Sequence, residues 1–172
     1  MMAVKQTIAF IDAADGLYTV LVKKLAEANY PLLFISNDGH KYQQLTDQIK
    51  SESPNADISI TDCAEEGCWE ADIIALFDNT TLEKKLLDRI RVVATQKVVI
   101  YISTINTTSP TLNKAKELQQ MLPNSKLVQL FHNPVRLELL VAGASQEAID
   151  LVSVIFENAG FTITEKVKSL RH

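Results

Sequence analysis

Apolar residues in this chain fall in short runs, separated by amphipathic stretches of about a dozen residues, so two hydrophobic periods alternate along it. Thr7-Ile-Ala-Phe-Ile11 is a continuous apolar run of the kind a strand buried on both faces requires. Gly16 to Asn29 follows as a helix, with Leu17, Val20, Leu21 and Leu25 on one stripe and Lys23, Lys24 and Glu27 facing away. Pro31 opens a second strand, Leu32 to Ile35, and His40 to Lys50 reads as a more polar helix. Asp57 to Ile60 and Ala71 to Phe77 are the third and fourth strands, joined by an acidic connecting segment. Leu82 to Val93 is helical, with Leu82, Leu86 and Ile90 at four-residue steps. Lys97 to Ile102 is a strongly β-prone fifth strand, and a helix from Thr111 to Met121 leads through Pro123 and Asn124 into a sixth, Lys126 to Phe131.

Strands separated by helices of this length call for right-handed parallel crossovers, and hence for a sheet covered on both faces. The end of the chain differs. Only His132 to Arg136 lie between Phe131 and Leu137, too few for a helical crossover, so Leu137 to Val141 is expected to run antiparallel to its predecessor. A helix from Gln146 to Asn158 and a short strand from Phe161 to Thr164 close the pattern. The expected fold is a three-layer α/β domain spanning residues 1 to 172. It is a Rossmann-type, doubly wound, mainly parallel sheet with antiparallel strands near the C-terminus.

Composition changes this picture little. Hydrophobic residues make up 47% of the chain, enough for one core, and the net charge of −4 with no basic block argues against nucleic acid or an anionic membrane as partner. The first apolar run is too short for a signal sequence or a membrane span, which leads us to expect a cytoplasmic protein. Cys63 and Cys68 have no further thiol or imidazole ligands nearby, so reduced thiols are expected and no metal site.

In a doubly wound sheet, ligands bind outside the carboxyl ends of the strands, near the reversal of strand order. The first strand-to-helix turn, Asp12-Ala-Ala-Asp-Gly-Leu17, is therefore the first candidate site. A dinucleotide-binding turn reads G-x-G-x-x-G, because glycines permit the tight turn and the close approach of backbone to pyrophosphate. Those positions here hold Asp12, Ala14 and Leu17, and sliding the register by one residue restores only Gly16. Asp12 and Asp15 matter more than the missing glycines. A carboxylate at this turn either caps the helix or faces a ligand's hydroxyl or ammonium group, and in both cases it opposes a pyrophosphate. At the end of the second strand, Ser36 and Asn37 stand where an acid commonly grips the ribose of NAD. His40 and Lys41 follow, either as contacts to a 2′-phosphate or as the start of a solvated helix.

With these segments placed, the chain resembles the NADP-binding domain of the deazaflavin-coenzyme:NADP oxidoreductase family. It is also similar to the N-terminal domain of pyrroline-5-carboxylate reductase, within the 6-phosphogluconate dehydrogenase-like group. The stretches that carry the resemblance are Ile8 to Ile11, Leu33 to Asn37, Ala71 to Leu76, Lys97 to Ile100, Leu118 to Val128 and Leu140 to Gly143. Leu122-Pro-Asn-Ser-Lys-Leu-Val128 is the most specific of them. The resemblance implies an NAD(P)-binding, oxidoreductase-like protein with NADP as the cofactor. It implies that Asp12, Ala13, Ala14, Asp15, Gly16 and Leu17 correspond to the pyrophosphate loop. By the same likeness, Ser36 and Asn37 match the 2′-phosphate-reading loop, Phe77 and Asp78 lie beside the cofactor, and Ser103 and Thr104 lie close to the nicotinamide. The departures are the overwritten glycines, the missing arginine beside Ser36 and Asn37, and the short path from Phe131 to Leu137; no helical dimerisation domain is expected within residues 1 to 172.

Two further constellations remain. His132, at the end of the sixth strand, is the candidate catalytic residue, although an Asn-Pro turn at Asn133-Pro134 also explains the segment. Ser103 to Pro110 offers hydroxyls to a polar ligand, or simply leads into a helix with Pro110 in its first turn. Two functions are therefore expected in competition: an NADP-dependent oxidoreductase with weakened dinucleotide binding, or a non-catalytic Rossmann-like domain for another small ligand or a protein partner. The edge formed by the last strands offers a surface for pairing with a second copy.

Overall fold

A computed structural model describes residues 5–12, 16–78, 83–104, 110–133 and 135–168. Eight strands form one sheet in the order β3-β2-β1-β4-β5-β6-β7-β8. They are β1 (Ile8–Ile11), β2 (Leu32–Ile35), β3 (Ile58–Thr61), β4 (Ile73–Phe77), β5 (Val98–Thr104), β6 (Lys126–Asn133), β7 (Glu138–Gly143) and β8 (Thr162–Lys168). β1 to β6 are mutually parallel, β7 is antiparallel to β6, and β8 runs parallel to β7. The expected α/β fold and its antiparallel ending are both present. The turn in strand order falls between β1 and β4, so the switch-point crevice opens over the ends of these two strands.

The strands read as apolar runs because both faces are covered. Alternate residues Phe10, Phe34, Ala75, Ile100 and Val128 face the helices α1 (Thr19–Glu27), α2 (Gly39–Glu52) and α6 (Gln146–Asn158). Their neighbours Ala9, Leu33, Ile74, Val99 and Tyr101 face α3 (Ala64–Glu70), α4 (Lys84–Ile90) and α5 (Pro110–Met121). On the first face an aromatic row crosses the sheet just beneath its carboxyl end. Tyr42 stacks on Phe34 at 5.0 Å, Phe34 meets Phe10 at 6.1 Å, Phe10 stacks on Phe77 at 5.9 Å, and Phe77 meets Tyr18 at 4.5 Å.

Several details differ from the sequence expectation: α4 stops at Ile90 rather than Val93, and α2 extends to Gly39–Glu52. The acidic connector after β3 contains α3, a helix without a broad apolar stripe, which buries only Ala64, Gly67 and Cys68. A Cβ on Gly67 would stand 2.7 Å from Ile35 Cδ1, so the glycine is what lets α3 lie close against β2. The expected helix from Gly16 begins as a 3-10 turn, Gly16–Tyr18, and becomes α-helical only at Thr19. β6 extends through His132 to Asn133, and β8 runs on to Lys168 because pairing with β7 supports it despite its exposed side chains.

Candidate functional site

The site is built from the strand ends that border the switch point. Asp12 is the first residue past β1, and its amide donates to Ile35 O at 3.1 Å. Its φ is 53°, the left-handed conformation for which glycine is the usual residue and which aspartate tolerates better than most. The turn thus keeps a glycine-like backbone at the first loop position while adding a carboxylate. Burial pushes the Asp12 carboxyl above its ordinary range, a hydrogen bond from Ser36 draws it part-way back, and the nearby Glu83 charge raises it again. Ser36 Oγ in turn accepts the amide of Asp38 at 3.0 Å, which closes the turn after β2.

The residue preceding α1 is Tyr18, whose own side chain makes no capping bond. Asp12 reaches sideways to Ser36 at the end of β2. Ala13, Ala14 and Asp15 lie outside the described residues; Gly16 is exposed, with open space where a Cβ would stand.

Tyr18 is the residue that sequence reasoning passed over. Its ring is 1% exposed and completes the aromatic row, while its hydroxyl donates to Asp78 Oδ1 at 2.5 Å. Asp78 is the first residue past β4, and its amide donates to Ile102 O at 3.0 Å. The bond therefore ties the start of the first helix to the end of β4, across the mouth of the crevice. The Tyr101 phenol on β5 is pushed up to about 12, by burial first and then by the neighbouring Asp78. The only sequence signal for Tyr18 was an aromatic residue in a turn that should carry glycines.

The remaining candidates are spread over the strand ends. Phe77 is fully buried beneath Asp78, and Asn37 is exposed. Ser103 and Thr104 end β5 on opposite faces; Ser103 is 1% exposed, and its hydroxyl meets no partner among the described residues. His132 is 2% exposed, its imidazole held edge-on to Phe161 at 5.9 Å. Neither ring nitrogen meets a partner among the described residues, and burial alone lowers its basicity. No carboxylate partners it among the described residues, and it lies almost wholly buried. Cys63 and Cys68 are unbridged, and burial pushes the Cys68 thiol up to about 12, too high for a nucleophile. Among the described residues no group of three His, Cys, Asp or Glu side chains can hold a metal, and no helix is long and apolar enough to cross a membrane.

No known family model and no curated protein matches the chain. Solved structures do. A proposed deazaflavin-coenzyme-dependent NADP reductase from Arthrobacter superposes with a TM-score of 0.66 at 14% identity, over 94% of this chain and 85% of its own. An imine reductase from Myxococcus stipitatus in complex with NADP+ gives 0.66 at 16% identity, over 94% of this chain and 55% of its own. A pyrroline-5-carboxylate reductase from Coxiella burnetii gives 0.65 at 16% identity, over 96% and 60%. The chain therefore shares the Rossmann-type fold of NAD(P)-binding reductases, and it spans little more than half the length of the last two.

Proposed function

We propose that this chain is a Rossmann-type domain of the NAD(P)-dependent oxidoreductase kind in which dinucleotide binding has been weakened or lost. The observation that carries this reading is the pair of carboxylates, Asp12 and Asp78, at the ends of β1 and β4, with Tyr18 bridging to Asp78 across the crevice between them. A dinucleotide of the ordinary pose lays its diphosphate there, on free helix amides. Each carboxylate within about 4 Å of a phosphate charge costs roughly 1 kcal/mol in water and roughly 4 kcal/mol at the effective dielectric of a protein surface. NADP thus does not fit these residues as they stand. The hydroxyl of Ser36 is already engaged with Asp12 and with the amide of Asp38, so the 2′-phosphate end offers no compensating donor there.

Hydride transfer needs the protein to position the nicotinamide, and without the phosphate cradle the energy for positioning is missing. The same acceptors favour a different occupant. A small ligand that presents hydroxyl or ammonium donors would find Asp12 and Asp78 complementary, in keeping with a binding or regulatory domain that performs no redox step.

Titration of NADPH and of NADH into the purified protein, followed by calorimetry or nicotinamide fluorescence, tests this reading. We expect no saturation up to roughly millimolar cofactor, an affinity near the bottom of the specific range. Saturable binding in the micromolar range would restore the ordinary oxidoreductase.

A further inference from the structure

His132 is a buried ionisable group that the candidate site does not use. It lies on β6 one residue before the strand ends, in register with Thr104 of β5 and Leu139 of β7. Phe161 covers it edge-on, and Phe161 is itself held by the Phe156 ring at 5.8 Å and by its amide bond to Phe156 O at 3.0 Å. Buried polar atoms almost always have partners, so an imidazole with two unpartnered nitrogens is tolerated only while it is uncharged.

The described residues of the elements around the imidazole supply no counter-charge. β5 and β7 face it with Thr104 and Leu139. Glu138 pairs with Asn133, the next residue on β6, and so points to the other face of the sheet, where it meets Arg136 at 3.8 Å. α6 turns Val152, Ile155 and Phe156 to the core and leaves Glu147, Asp150 and Glu157 exposed. On β8, Glu165, Lys166 and Lys168 are all exposed. A proton on His132 must therefore be paired with water, and Phe161 is the aromatic cover that stands in the way.

Phe161 is also the residue that leads into β8. The preceding Gly160 has φ +98°, a turn conformation that suits a hinge, and the next amide, of Thr162, donates to Leu137 O at 2.8 Å. β8 is the outermost strand, paired only with β7, and its side chains are almost all exposed. Removing Phe161 from its seat thus pulls on an edge strand of the sheet.

We propose that His132 and Phe161 form an acid-sensitive latch: the neutral imidazole lets Phe161 seal the end of β6, and the protonated imidazole expels that ring and loosens β8. Hydrogen exchange of the intact protein, followed by NMR at about pH 7.5 and about pH 5 and corrected for intrinsic rates, tests it. The expected result is a loss of about tenfold in protection across Thr162–Lys168 at the lower pH, with β1 and β4 unchanged. His132→Phe should keep β8 protected at both pH values. If that variant does not fold, Phe161→Ala serves instead. It admits water to the ring, so the His132 titration should move up toward the ordinary imidazole range, and β8 should already be loose at neutral pH. Unchanged β8 protection in acid, an equal loss in every strand, a loss that persists in His132→Phe, or an unmoved His132 titration in Phe161→Ala would each overturn the latch.

Discussion

Asp12 sets a carboxylate on a backbone conformation that glycine usually supplies. Its φ of 53° is one that aspartate tolerates better than most residues, so the side chain is added without a change of backbone region at this position. The carboxylate was legible in the sequence; its partner was not, because Ser36 is 24 positions away and only the parallel pairing of β1 with β2 brings the two together. The Asp12 carboxylate finds a donor in Ser36 beside β2, and Asp15, the other candidate helix cap, lies outside the described residues. A carboxyl whose folded pKa lies above its unfolded 3.8 holds its proton more tightly in the folded chain. It costs stability above that range, and the cost fades as the pH falls to it. Asp12→Asn, which tolerates the same φ, should therefore raise the melting temperature at neutral pH by a margin that shrinks toward zero near pH 3 to 4, roughly. Thermal melts across pH check this, and a gain independent of pH would contradict it. Tyr18→Phe keeps the ring in the aromatic row and removes only the bond to Asp78, so denaturant unfolding should show a loss of about 1–2 kcal/mol.

At the scale of elements, legibility followed burial. Strands covered on both faces announced themselves as apolar runs, whereas β8, with Thr162, Glu165, Lys166 and Lys168 along it, carries almost no hydrophobic pattern and depends on β7 for its length. Those charges also suit an open edge, where lysine and glutamate limit pairing with other chains. α3 was missed because its seven residues bury so little and contain a glycine. What holds it is Lys97, whose ammonium donates to Cys68 O at 2.5 Å and to Trp69 O and Ala71 O at 2.7 Å each. These are carbonyls at the C-terminal end of α3, the end that a cation stabilises. Lys97→Met should cost about 2 kcal/mol in chemical denaturation and loosen the amides of α3 before those of β4 and β5. A uniform loss of protection across the sheet would show that Lys97 does not act through this helix.

For the whole molecule, the alternation of strands and helices was enough to specify the layers and the parallel order, and the five-residue gap before Leu137 was enough to specify the antiparallel turn. The position of the candidate site follows from topology, because strand order alone puts the crevice over β1 and β4. Asp12 and Asp78 are legible as candidates from position, while Tyr18 and Glu83 come beside them only when the chain is folded. The account's central claim is that carboxylates at this mouth keep a diphosphate out. The most direct test is a paired calorimetric titration of NADPH into the natural chain and into Asp12→Gly at low salt, where charge repulsion is least screened. The account predicts that Asp12→Gly binds at least about fivefold more tightly, the equivalent of one repulsive contact of about 1 kcal/mol. Equal affinities in the two proteins, or micromolar binding by the natural chain, would contradict it.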